Sequence, residues 1–181
     1  MSEDTIRVAT KNDAEELLEL MREAFEPLKN LGIEWPSVYV DLETMTNNIE
    51  RSTTYVLERD DKIASTITIR FPWEEGMDIS GYPFLWWFAT KPEYKGQGLG
   101  GKLLTYVEET VLRDTLKAPA VVLGTSLKLH PWLKTVYERR GYELYISHDT
   151  DYGDTDGLMR KILIPERFDK EILAVPVLDD A

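Results

Sequence analysis

Residues 82–90, YPFLWWFAT, contain no charged side chain, and a glycine-rich stretch, KGQGLGGK, follows at 95–102. An apolar run this short reads as a strand in the middle of a sheet, covered on both faces. That one feature constrains the rest of the chain, because covering two faces of a sheet requires helices on both of its sides. The remaining pattern supplies them.

TIRVA at 5–9 reads as a first strand. Asn12 and Glu15 have capping-box spacing ahead of an apolar stripe of Ala14, Leu17, Leu18, Met21 and Phe25, which predicts a helix that Pro27 ends. Ser37 is the expected cap of a second helix, with Val38, Leu42, Met45 and Ile49 on one face. TTYVLE (53–58) and KIASTITIR (62–70) flank Arg59, Asp60 and Asp61 as the arms of a hairpin. Leu99, Leu103, Leu104, Val107 and Val111 mark a long amphipathic helix after the glycines. AVVLG (120–124) is a buried strand. PWLKTVYERR (131–140) is a helix with Pro131 in its first turn and Gly141 as its stop, and YELYIS and GLMRKILI are two closing strands. The order is β-α-α-β-β-β-α-β-α-β-β, a mixed sheet with helices on its faces.

Composition removes several chemistries. The 181 residues include no cysteine, which excludes disulfides, thiolate nucleophiles, thiolate-bound zinc and iron–sulfur clusters. Two histidines, His130 and His148, rule out a histidine-rich metal centre and leave only carboxylate-bound Mg²⁺ or Ca²⁺ open; the expectation is that no metal is used. The first residues lack a basic segment followed by an apolar one, and no run approaches 18 apolar residues, so the chain is expected to be cytoplasmic and without a membrane partner. The net charge of −12 is unevenly placed: residues 95–141 carry 8 basic and 4 acidic side chains, whereas 1–94 carry 9 and 19 and 142–181 carry 4 and 10. A nucleic-acid partner would need a far larger basic footprint. One basic island in an acidic chain suits a compact anionic ligand.

The glycine stretch satisfies two short phosphate-binding patterns. Gly96, Gly98 and Gly101 fit G-x-G-x-x-G, and Gly96, Gly101 and Lys102 fit most of a Walker A loop. Walker chemistry needs Ser or Thr where Leu103 stands. A dinucleotide fold would run its strand straight into the first glycine, where Pro92 intervenes. Common to all is a tight turn into a helix N-terminus whose N–H groups can receive a phosphate, with Lys91, Lys95 and Lys102 nearby. The simplest reading is a turn that only starts a helix.

Lys95-Gly96-Gln97-Gly98-Leu99-Gly100, placed directly after FLWWFAT, resembles the pyrophosphate-binding signature of the GCN5-related N-acetyltransferase (GNAT) superfamily, with Lys95 where Arg or Gln is usual. A second family segment is matched by Tyr137, Gly141 and Tyr142, with His130 in place of Asn and Leu133 in place of Ala. The resemblance implies a single-domain α/β (α+β) fold, a mixed and mainly antiparallel sheet of six to seven strands flanked by about four helices. The resemblance covers about residues 5–163, strongest over 82–142; the expected domain is 1–165, with 166–181 as a tail that forms an extra strand or a dimer arm. It also implies an N-acetyltransferase that moves an acetyl group from acetyl-CoA directly to a primary amine of a small molecule or peptide. By the same resemblance Lys95, Gly96, Gln97, Gly98, Leu99, Gly100, Gly101 and Lys102 hold the pyrophosphate. Phe88, Ala89 and Thr90 line the pantetheine arm, His130 and Tyr137 adjoin the cofactor, and Tyr137 protonates the departing thiolate.

Direct transfer requires a neutral amine, so a base must take its proton. No carboxylate interrupts 82–90. Glu74, Glu75 and Asp78 in the preceding loop, acting through water, and His130, with an ordinary pKa of about 6.5, are the candidates. Aromatic residues (Phe25, Trp35, Trp73) beside acids (Glu26, Glu34, Glu74, Glu75) favour a cationic amine on the acceptor side. Two other classes stay open: a non-catalytic acyl-CoA-binding or sensor protein, and a nucleotide-binding interaction module. The β-rich C-terminal region offers an edge for a homodimer.

Overall fold

The computed structural model describes residues 3–172. Seven strands, β1 (Asp4–Val8), β2 (Thr53–Arg59), β3 (Lys62–Arg70), β4 (Phe84–Thr90), β5 (Ala120–Ser126), β6 (Glu143–Asp149) and β7 (Thr155–Ile162), bond in the order β1-β2-β3-β4-β5-β7-β6. Among the described residues four α-helices accompany them: α1 (Ala14–Asn30), α2 (Leu42–Arg51), α3 (Leu99–Thr105) and α4 (Trp132–Glu138). The β1–β2, β2–β3, β5–β7 and β6–β7 pairs are antiparallel and β4–β5 is parallel, the mixed, mainly antiparallel sheet expected from the resemblance. The chain divides into two compact units. One holds the described residues through Ile69 with Trp86–Val107; the other holds Arg70–Leu85 with the described residues from Glu108 onward.

In the first unit, α1 begins where Thr10 and Asp13 form the capping box, with the Asp13 carboxylate accepting from the Thr10 N–H at 2.8 Å. The cap is thus two residues earlier than the Asn12–Glu15 spacing predicts. Pro27 does not end α1. It lacks a donor but keeps its carbonyl, which accepts from Leu31 N at 3.2 Å, so the last turn closes on bonds that do not need the proline N–H. Nor does Ser37 cap the second helix: it is buried in a 3-10 turn over Pro36–Tyr39, and the Asp41 carboxylate caps α2 by accepting from Thr44 N at 2.8 Å. The β2–β3 turn has two central residues, Asp60 and Asp61, both with positive φ (53° and 63°), while Arg59 pairs with Lys62. Aspartate tolerates that geometry, which matches the twist of the hairpin. Leu17, Leu20, Met21, Met45, Leu57, Ile63, Ile67 and Ile69 are fully buried in this unit.

β4 departs from the expected coverage of both faces. Trp87 and Ala89 are buried, but Trp86, Phe88 and Thr90 are half-buried. Trp87 also holds a φ of 51°, a left-handed conformation that costs a bulky residue on the order of 1–3 kcal/mol and interrupts the strand's regular pleat. The less covered side is the one that the start of α3 approaches.

α3 continues in π register over Tyr106–Thr115, with Leu116 N bonding to Val111 O at 3.0 Å; together they form the long helix predicted. In the second unit, Ala120, Val121 and Val122 of β5 are fully buried, and β6 is the exposed outer strand. Gly141, with φ of 93°, ends the turn after α4 as its position predicts. The segment 165–172 forms two 3-10 turns and returns to the entrance of β4. There Gly81 N donates to Ile172 O at 3.1 Å, and the Tyr82 hydroxyl accepts from Asp169 N at 2.8 Å. A Cβ on Gly81 would stand 2.3 Å from Ile172 O, so this approach requires glycine. The rest of the expected tail, 173–181, lies outside the described residues.

Candidate functional site

The glycine turn is built as a tight passage from β4 into α3. After Thr90, Lys91 N bonds to Ala64 O at 2.8 Å and a 3-10 turn over Pro92–Tyr94 redirects the chain. Gly96 and Gly98 then take φ of 80° and 75°, and a Cβ on either would meet nothing within 4 Å, so glycine is there for backbone conformation and not for crowding. Gly100 differs. Its Cβ would lie 2.7 Å from Thr90 Oγ1 and 3.3 Å from the Phe88 ring, so close packing of β4 on α3 requires the missing side chain. Thr90 is held in turn by Ser65, whose hydroxyl donates to Ala89 O at 2.9 Å and lies 3.0 Å from Thr90 Oγ1. Phe88 and Thr90 therefore pack against Gly100, with Ala89 tied to Thr90 through Ser65.

The first intrahelical bond of α3 runs from Lys102 N to Gly98 O at 3.0 Å, which leaves the amides of the preceding turn at the N-terminal, partially positive end. Leu99 points into the core, 2 % exposed, and anchors the turn from within. Gln97 is exposed, and its carbonyl oxygen accepts from Arg59 at 2.5 Å. The lysines are unequal: Lys102 donates to Asp4 at 3.0 Å, Lys91 pairs with Glu93 at 3.2 Å, and Lys95 is exposed. Asp4 is held down at about 2 by hydrogen bonds from Arg59 and Lys102.

In the second unit, α4 carries the other predicted residues. His130 stands just before it, with its N–H donating to Ser126 Oγ at 3.0 Å and its ring 4.2 Å from that of Trp132. Tyr137 is buried, its ring edge-on to Tyr142 at 5.6 Å. Burial pushes its hydroxyl up to about 12; the Arg140 charge pulls the other way and the Glu108 charge adds to the rise. Tyr137 therefore keeps its proton throughout the neutral range. Glu74 is engaged in its own loop, accepting from Phe71 N at 2.6 Å and lying 4.0 Å from Arg70, whereas Glu75 and Asp78 are exposed. Of the acceptor-side aromatics, Phe25 is buried in α1 and Trp35 half-buried, while Trp73 is 77 % exposed and stacked on Phe71 at 4.7 Å.

Three residues escape a sequence reading. Asp154, 1 % exposed, accepts through one oxygen from the N–H groups of Thr155 (2.8 Å), Lys128 (3.1 Å) and Leu129 (3.1 Å), and so shapes the loop that leads to His130. Desolvation opposes its charge, but the Ser126 hydroxyl and these backbone donors outweigh it and hold its pKa below the usual value. Glu108, also 1 % exposed, lies beneath the end of α4. Its signal was visible: it sits four residues after Leu104 and four before Leu112, an acid inside an apolar stripe. Trp87, in the bend of β4, had none. Among the described residues no group of three or more His, Asp or Glu could hold a metal ion, and no helix is long and apolar enough to cross a membrane.

The sequence profile of the acetyltransferase (GNAT) family matches residues 14–142. An S-alkylcysteine N-acetyltransferase of Bacillus subtilis (strain 168) is 58% identical over 176 residues, covering 97% of this chain and 98% of the relative. An S-(2-succino)cysteine N-acetyltransferase of the same organism is 45% identical over 157 residues, 87% of this chain and 94% of the relative. Among solved structures, the PaiA N-acetyltransferase of Thermoplasma acidophilum in complex with coenzyme A superposes with a TM-score of 0.66 at 21% identity, covering 88% of this chain and 99% of that one. That likeness speaks to the fold.

Proposed function

Because the chain belongs to the GNAT acetyltransferase family, we propose that it moves an acetyl group from acetyl-CoA to the α-amine of an S-substituted cysteine. The observation that carries this reading is that two relatives, each matched over nearly its whole length, are both named for N-acetylation of S-substituted cysteines.

The glycine turn fits an anionic donor. Gly96 and Gly98 leave open space where side chains would stand, the turn leads into the N-terminal end of α3, and Lys95 is exposed beside it. When bound, acetyl-CoA supplies the acetyl thioester. The chain's own residues then have two tasks, to receive a proton from the amine and to return one to the thiolate. An α-amine eases the first, since it is less basic than a lysine side chain at about 10.4. A chain without a carboxylate in β4 is better matched to such an acceptor, with His130 or a water held near Glu75 taking the proton. Tyr137 is the donor for the second task. With its hydroxyl near 12, a value that already includes the pull of Arg140, and a thiol near 8.5, the transfer is uphill by roughly 5 kcal/mol in the free protein.

The test is thiol release from acetyl-CoA, read with a thiol-reactive dye; the chain has no cysteine to give a background. S-methylcysteine and S-(2-succino)cysteine are expected to be turned over, with spermidine, lysine and an N-terminal peptide slow or inert. Turnover confined to polyamines or peptides would overturn the substrate assignment, and no thiol release with any amine would favour the acyl-CoA-binding reading.

A further inference from the structure

We infer that Glu108 is a positioning residue: from beneath the end of α4 its carboxylate fixes Arg140 and Tyr142, and through them the place of the Tyr137 hydroxyl and the charge it faces. The inference rests on the proton-donor role given to Tyr137 above.

The geometry is specific. Glu108 Oε2 accepts from the Tyr142 hydroxyl at 2.5 Å, while Oε1 receives Lys161 Nζ at 3.0 Å and an Arg140 guanidinium nitrogen at 3.5 Å. The backbones of the same two residues hold Tyr137: Arg140 N donates to Tyr137 O at 2.9 Å and Tyr142 N donates to it at 3.1 Å. One buried carboxylate therefore grips by their side chains the two residues whose amides close the last turn around Tyr137. Gly141 lets this happen. Its positive φ turns the chain, and a Cβ there would already touch the Lys161 side chain at 3.6 Å. Tyr142 completes the link with its ring against that of Tyr137.

A carboxylate at an inward helix position is costly unless paired, and a residue kept for packing alone would be apolar. Of the charged groups that meet here, Glu108 comes from the π-register segment, Arg140 from the turn after α4 and Lys161 from β7, with Tyr142 beside them, while β5, on which α4 packs, presents AVVLGTS. Removing the Glu108 charge takes away its repulsion of a tyrosinate at Tyr137 and leaves the opposite pull of Arg140. The tyrosinate is then favoured.

The experiment is the E108Q variant, whose amide keeps the shape and an acceptor for Tyr142. In protein labelled at tyrosine Cζ with ¹³C, the Tyr137 resonance is assigned by its loss in Y137F and followed with pH. The wild type is expected to show no titration of this resonance below about pH 11, and E108Q to titrate lower by about one to three units. The alkaline limb of kcat should move by the same amount. A Tyr137 titration in E108Q that coincides with the wild type overturns the inference. Should E108Q not fold, Y142F decides: a fall in kcat of more than about threefold at unchanged KM for acetyl-CoA supports it, and a smaller fall overturns it. The resonance reads the free protein, so a shifted titration without N-acetylation would sink the proposed function, and with it the catalytic purpose of Glu108, while its electrostatic hold on Tyr137 would stand.

Discussion

Replacing Asp154 tests whether one buried carboxylate organises the approach to α4. Its Oδ1 serves three backbone donors, and Asp154→Ala strands all of them. The Thr155 bond, at 2.8 Å to an ionised oxygen within the protein, is worth about 1.5–3 kcal/mol. The Lys128 and Leu129 bonds are longer, 3.1 Å each, and belong to residues that water can reach, so about 0.5–1 kcal/mol apiece is reasonable. The total is a loss of about 2.5–5 kcal/mol in urea unfolding followed by circular dichroism. Asp154→Asn separates the carbonyl-like acceptor from the charge. Its oxygen can still serve the three donors, but its NH₂ must face Ser126, whose Oγ already accepts from His130 N. The expected cost is about 1–2 kcal/mol. The pH dependence has a definite sign. A carboxylate held below its unfolded value contributes stability above that value and loses it as the pH falls, so the gap between wild type and Asp154→Asn should be full at pH 6 and shrink below about pH 4. A loss under about 1 kcal/mol in Asp154→Ala, or equal losses in the two variants, would show that this carboxylate does not organise the loop.

The two kinds of glycine in the turn should respond differently. Gly98→Ala meets open space but must hold a φ of 75°, a strain of about 1–2 kcal/mol that no neighbour can relieve. Gly100→Ala has ordinary helical backbone but collides with Thr90 Oγ1 at 2.7 Å, so its cost of about 1–3 kcal/mol should largely vanish when Thr90→Ala is added, as a double-mutant cycle in urea will read. Tyr137→Phe should lower kcat by about 10²–10⁴-fold with KM for acetyl-CoA little changed; a kcat within threefold of wild type would remove Tyr137 from the chemistry.

What the sequence made legible follows from how local each signal is. The strand expected over 82–90 and found over 84–90, the turn at 95–100 and the glycine stop at Gly141 are each carried by residues close together in the chain, and each forms the local structure its pattern predicts, although the expected cover on both faces of the strand is incomplete. Helix starts were less legible, because candidate caps compete and tertiary burial chooses among them. Ser37 has the right chemistry but is buried in a 3-10 turn after Pro36, which leaves Asp41 to cap α2. The left-handed Trp87 had no residue-type signal, since the strain of such a residue is sustained by the surrounding structure and not by its own preference.

The basic island of residues 95–141 is legible as composition, and the structure shows how its charges pair. Lys102 is engaged by Asp4, 98 residues earlier in the chain, and Arg113, Lys134 and Arg140 meet Asp114, Glu138 and Glu108. The last three acids lie inside the island and are already in its count of 8 basic and 4 acidic side chains, whereas Asp4 lies outside it and only the fold brings it in. Charge already matched by a neighbouring carboxylate contributes little field at a distance, the more so at physiological ionic strength. On the proposed reading the turn receives its anion mainly through the amides at the start of α3, with Lys95 as an accessory. Lysine at the first position of the signature then costs little, and Gly96 and Gly98, which set the backbone by their positive φ, matter more than any one cation beside them.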